Sequence, residues 1–106
     1  MKIKKRIRRT KDERRQQILT CALMLAEHLN DYEKVTRLMV AESLGISEAA
    51  ISKYFSPMSK LHRAIVGEAI KLENIPVLAQ ALARKHPRTA SLPIEVKQQC
   101  FDFCVS

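Results

Sequence analysis

Three observations predict an all-α fold with five or six helices. Apolar residues recur at helical spacing along most of the chain, and no segment alternates apolar and polar residues for long enough to build a strand. Trp is absent and aromatic residues make up 5%, which leaves few of the side chains that sheets favour. Capping residues and prolines divide the periodic runs into helix-sized pieces.

Each element follows from its own residues. Thr10-Lys11-Asp12-Glu13 has the form of a capping box, in which the Thr10 hydroxyl and the Glu13 carboxylate satisfy each other's backbone N–H groups. The helix it opens is predicted to run to Leu29, with Ile18, Ala22, Leu25, Ala26 and Leu29 on one face and Asn30-Asp31 ending it. Thr36 is placed to cap a second helix through Leu44, whose apolar positions are Leu38, Val40, Ala41 and Leu44. Gly45 stops that helix with a positive φ. Ser47 caps a short third helix to about Tyr54, with Ala50, Ile51 and Phe55 inward. Ser56-Pro57 opens the fourth, because proline suits the first helical position, and Leu61, Ala64, Ile65, Ala69 and Leu72 form its inward stripe. Pro76 opens a fifth, from Val77 to about Lys85. Residues 87–92 read as a polar turn. Pro93 starts a last short helix carrying Ile94, Val96, Phe101 and Phe103.

The 106 residues suffice for one small core. At 46% hydrophobic residues the composition is that of a folded protein, and two glycines and four prolines exclude low complexity. No apolar run reaches the roughly 20 residues of a membrane helix. The apolar stretch 18–26 follows a basic start as a signal peptide's would, but no small-x-small cleavage site follows and the same residues fit the first amphipathic helix. Three cysteines (Cys21, Cys100, Cys104) without a CxxC give no disulfide framework, so a reducing cytoplasm is expected.

The charge is concentrated at one end. Residues 1–15 carry nine basic and two acidic side chains, a net +7 of the whole chain's +8. The chain therefore reads as a near-neutral body with a basic arm at 1–9. Such an arm points to a polyanion, with nucleic acid ahead of an anionic membrane.

The second and third helices carry the most specific pattern. A helix-turn-helix needs a small residue where its helices cross, a residue free to take positive φ four positions on, and an apolar anchor six positions further. Ala41, Gly45 and Ile51 stand at those offsets, with Val40, Leu44 and Ile46 in the neighbouring core positions. The third helix would then present Ser47, Glu48, Ala49, Ser52 and Lys53 to a major groove of double-stranded DNA. Three regions follow: the arm at 1–9, a helix-turn-helix DNA-binding domain at 10–56, and a linker helix with C-terminal helices at 57–106 as the dimerisation region.

Residues 18–65 resemble the DNA-binding domain of the tetracycline-repressor (TetR) family. The residues that carry the likeness are Ile18-Leu19, Ala22-Leu23, Leu25-Ala26, Thr36, Ala41, Gly45-Ile46-Ser47, Tyr54-Phe55, Leu61 and Ala64-Ile65. The resemblance implies a transcriptional repressor that binds a palindromic operator as a dimer, with Tyr54 touching phosphate. Three positions depart from the family pattern. Ser52 stands where a Tyr is common, the phosphate-binding Lys at the start of the fourth helix falls on Met58 with Lys60 half a turn on, and the loop 30–35 is one residue longer. About 30 residues follow Leu72, too few for the family's usual ligand-binding domain, so a small-molecule inducer is not expected.

The roles expected from chemistry are these. Lys53, the one cation on the third helix, can reach a guanine edge or a phosphate. Glu48 suits the helix N-terminus and can also accept from a cytosine amino group. Ser47, Ala49 and Ser52 permit close approach or polar contact. Thr36 and Arg37 begin the second helix, where N–H groups and a cation suit phosphate. Lys4, Lys5, Arg6, Arg8 and Arg9 can follow phosphates or enter a minor groove. Val77, Leu78, Leu82, Ile94, Phe101 and Phe103 are more apolar side chains than so thin a core can hide, and they are expected to form a homodimer surface. Cys100 and Cys104 share a helical face, and His62 and His86 fit no closed zinc site with them, so no metal or cofactor is expected. Without a catalytic Ser/His/Asp order, paired carboxylates or a phosphate-cradling glycine loop, no enzyme is expected. Two other functions fit the same residues: a non-specific DNA-coating accessory protein, and an interaction module that titrates another regulator.

Overall fold

A computed structural model describes residues 10–105. Six α-helices and two 3-10 turns follow one another, and no strand occurs among the described residues. The helices are α1 (Lys11–Leu29), α2 (Arg37–Leu44), α3 (Glu48–Ser52), α4 (Met58–Leu72), α5 (Ile75–Ala83) and α6 (Ile94–Val105), with 3-10 turns at Tyr32–Lys34 and Pro87–Ser91. The arm at 1–9, with Lys4, Lys5, Arg6, Arg8 and Arg9, lies outside the described residues.

The caps form where the sequence sets them. Glu13 N donates to Thr10 Oγ1 at 3.1 Å and Thr10 N donates to Glu13 Oε1 at 2.9 Å, completing the box. Asn30 closes α1 in the left-handed region at φ 58°. Two helix starts differ from expectation. Pro57 is the residue before α4 rather than its first helical residue. The fifth helix begins before Pro76, because the Asn74 side chain accepts from Val77 N and supplies a cap.

α1 packs against α2, α4 and α5, while α5 also packs on α6. Ile18, Ala22 and Ala26 of α1 meet Val40, Ile51, Phe55, Leu61 and Ile65 in a core that continues into Val77, Leu78 and Ala81 of α5. Residues of 10–56 and of 57–106 thus contribute to one contiguous core. Two apolar positions read as inward are outward. Leu38 sits on the far side of α2 from the buried Val40, and Leu72 ends α4 just before the chain turns away at Glu73, so nothing covers either.

The connection 30–35 is a packed part of the core. Tyr32 and Val35 are buried, and Arg84 of the α5 end bridges Asp31 at 2.8 Å and Glu33 at 2.9 Å. Buried Gln80 holds this turn to α5: its Oε1 accepts from Tyr32 N at 2.7 Å and its Nε2 donates to Ala26 O at 3.1 Å. A buried backbone N–H without such a partner would cost about 1–3 kcal/mol.

Val77 and Leu78, expected on a dimer surface, are fully buried within the single chain. The reason is that α5 is covered on three sides, by α1, α4 and α6. Leu82 is half-buried against the same core. Ile94 (75% exposed), Phe101 (61%) and Phe103 (45%) do face outward from α6.

Candidate nucleic-acid interface

The turn between α2 and α3 has the conformation its glycine allows. Gly45 sits at φ 71°, ψ 32°, and Ile46 N donates back to Ala41 O at 3.0 Å. A side chain there would meet nothing within 4 Å, so the glycine answers a backbone demand, not a space demand. Ser47 Oγ accepts from Ala50 N at 3.1 Å and starts α3. Ala41 is buried at the crossing, and Ile51 anchors α3 with no exposure.

With Ile51 inward, the other side of α3 faces out. Ser47, Glu48, Ala49 and Lys53 are exposed, while Ser52 and Tyr54 are half-buried. The exposed strip holds one cation, one carboxylate and two small residues, which permits close approach to a groove. Tyr54 packs partly against the core.

At the start of α2 the cap is as predicted, whereas Arg37 is placed differently from expectation. The Thr36 hydroxyl is engaged in its cap, accepting from Met39 N at 3.1 Å. Arg37 is drawn inward: its side chain is 22% exposed, its Nε lies 3.9 Å from Glu48 Oε2, and its Nη1 lies 3.5 Å from Phe55 O. It ties the start of α2 to both ends of α3 instead of projecting, because the carboxylate and carbonyl lie across the helix pair. Buried Arg37 Nε has no hydrogen-bond partner among the described residues. Lys60 is exposed on the first turn of α4, and Met58 is half-buried against the core.

Arg15 is a residue the sequence pattern did not single out. Its guanidinium lies 5.2 Å from the centroid of the Phe55 ring, a cation–π arrangement that fixes a positive charge beside the α3–α4 corner. Only the tertiary approach of α1 to that corner makes the pair.

The residues weighed for metal binding are placed elsewhere. His62 Nε2 lies 2.8 Å from Val35 O, and the rings of His62 and His86 meet Tyr32 edge-on. Among the described residues no group of three or more His, Cys, Asp or Glu could hold a metal ion. Burial pushes the Cys21 and Cys100 thiols above their usual range, the opposite of an activated nucleophile. Cys21, Met24, Leu25 and Leu44 line an open surface groove of about 850 Å³ between α1 and the end of α2, together with Glu13, Gln16, Gln17 and His28. No helix among the described residues is long and apolar enough to cross a membrane.

His86 has a testable electrostatic setting. Burial first, then Arg88 and Arg63, hold its pKa below the usual value, and its Nδ1 accepts from Arg88 N at 3.1 Å. A depressed histidine pKa means that the unfolded chain binds the proton more readily. Its stabilising contribution is therefore present above about pH 6.5 and is lost as pH falls through the folded-state value. His86→Asn keeps an acceptor near the same place without titrating. Urea melts between pH 7 and 5 are expected to show a smaller acid loss for this variant than for the wild type. Parallel curves would refute the assignment.

Fold and helix pair together define an all-α helix-turn-helix protein. Among curated proteins the chain is similar to the nucleoid occlusion factor SlmA of Haemophilus influenzae (strain PittGG), at 31% identity over 98 residues, covering 91% of this chain and 43% of that protein. It is similar to SlmA of Pasteurella multocida at 26% over 101 residues, covering 95% of this chain and 50% of the relative. The Mannheimia succiniciproducens SlmA matches at 29% over 96 residues, covering 91% and 44%. The chain spans about half the length, or less, of the curated relatives it matches. No family model and no solved structure matches it.

Proposed function

We propose that this protein is a sequence-specific DNA-binding regulator of TetR-like type, a small dimeric repressor that sets α3 in the major groove of a palindromic operator. The observation that carries this reading is the α2–α3 pair: a left-handed Gly45, a buried Ala41–Ile51 crossing, and an outward strip of Ser47, Glu48, Ala49 and Lys53. Similarity to SlmA over nearly the whole chain supports a TetR-like DNA-binding domain. The apolar outward face of α6, with Ile94 and Phe101, supports a homodimer. The protein then works in the cytoplasm by binding, with no enzyme chemistry, cofactor or inducer.

A second reading has its own support. The relatives are named as nucleoid occlusion factors, which favours a role that depends on occupying the nucleoid and not on repressing one operator. This is the DNA-coating function, with the basic arm supplying much of the affinity.

Selection of bound duplexes from a random library, at near-physiological salt, tests both. Enrichment of a palindrome with half-sites about one helical turn apart is the expected result for the dimeric repressor. Binding without enrichment favours coating. A wild-type protein that retains no duplex overturns both.

A further inference from the structure

The body of the protein is nearly neutral, yet its cations are not spread evenly over it. Lys60, Arg63 and Lys71 of α4 line one groove with Arg15 of α1 and Arg88 of the 3-10 turn. The other arginines of the body are engaged: Arg14 with Gln17, Arg37 with Glu48, and Arg84 with Asp31 and Glu33. None of the five groove cations forms an ion pair among the described residues. The groove's one carboxylate, Glu68, is buried and accepts from Gln16 Nε2 at 2.7 Å.

Arg88 is seated by a feature that costs stability. Gly67 lies in the interior of α4, where glycine is less favourable than alanine. Its φ is not in the left-handed region, so no backbone demand requires it there. A side chain at this position would collide with the Arg88 guanidinium and meets no other side chain as closely. The missing Cβ makes room for that cation against the helix. The turn that delivers Arg88 is itself held, since Thr89 is buried and its Oγ1 donates to His86 O at 2.6 Å.

The groove begins at the candidate interface. Phe55 directly follows the α3 turn and lines the groove, and Arg15 lies over its ring. From Lys60 to Gly67 the axis of α4 rises by about 10 Å. The basic arm enters α1 only a few residues before Arg15.

We propose that this groove is a second phosphate-binding track, in which Arg63 and Arg88 extend the contact with the duplex backbone beyond the recognition helix. The inference rests on the DNA-binding reading above. The track adds affinity without reading bases, because phosphates carry no sequence.

The test is the salt dependence of duplex affinity. Each phosphate contact contributes about 0.9 to the slope of log K against log salt. Because a bound dimer carries two copies of the track, Arg63→Ala and Arg88→Ala are each expected to lower the slope by about 1.8 while selecting the same sequence as the wild type. Both side chains are exposed, so the variants should keep the wild-type melting temperature. Arg88→Lys should retain the slope. Gly67→Ala gives the sharper result: it is expected to melt higher, because the helix gains a better former, and yet to lose slope, because the new methyl displaces Arg88. A wild type that binds duplex while all three Ala variants keep its slope overturns this proposal and leaves the regulator reading standing. A wild type that binds no duplex overturns both.

Discussion

Phe55→Ala is expected to lower the melting temperature by on the order of 20 °C. Phe55 is among the largest side chains with no exposure, and it lies where the end of α3 meets α4. Removing a buried phenyl ring costs about 3–5 kcal/mol, from lost transfer energy and the cavity left behind. In a domain of this size each kcal/mol moves the midpoint by about 4–8 °C. Two further attachments converge on the residue. Arg15 stacks on its ring, and Arg37 Nη1 lies 3.5 Å from its carbonyl. The variant should therefore also release α3 from its orientation, and duplex binding should fall with stability. Leu72→Ala is the control, since Leu72 is outward at the end of α4 and its loss should move the midpoint by only a few degrees. Circular dichroism melts of the three proteins decide the matter. Equal midpoints for Phe55→Ala and wild type would mean that the corner is not the keystone its burial indicates.

Lys53→Ala is expected to weaken operator binding by roughly 30- to 20,000-fold, provided that Lys53 reads a base edge. One good base contact is worth about 1–3 kcal/mol, and a dimer on a palindrome presents two copies. Lys53 follows the last turn of α3 and is exposed, without an ion pair among the described residues. Stability should be unchanged, which separates this variant from Phe55→Ala. Relaxed preference at one position per half-site would mark base readout. Uniform weakening with a reduced salt slope would mark phosphate contact instead. Unchanged affinity and selection would remove Lys53 from the interface.

Much of the helix-turn-helix was legible because its constraints are local. Thr10, Thr36 and Ser47 cap helices through oxygens that reach N–H groups three residues on, and Gly45 takes a backbone region its neighbours avoid. Such interactions are written into short spacings. The second half was less legible. Their spacing marks Val77 and Leu78 as surplus apolar surface, yet α6 folds back over α5 and buries them. Helical spacing shows that a face is apolar; it does not show which neighbour covers it. The inward placement of Arg37 is not legible for the related reason that its partners, Glu48 and Phe55, are close only after α2 and α3 cross.

The all-α class, the N-caps of α1, α2 and α3, the left-handed turn and the outward strip of α3 are legible from the residues alone. Each depends on hydrogen bonds or steric limits within a few residues. The tertiary structure alone decided that Tyr32 and Val35 belong to the core, that Gln80 joins the ends of α1 and α5, and that Gly67 seats Arg88 beside Arg63. Those arrangements join residues about 20 to 50 positions apart through packing, and no local spacing encodes which distant surfaces will meet.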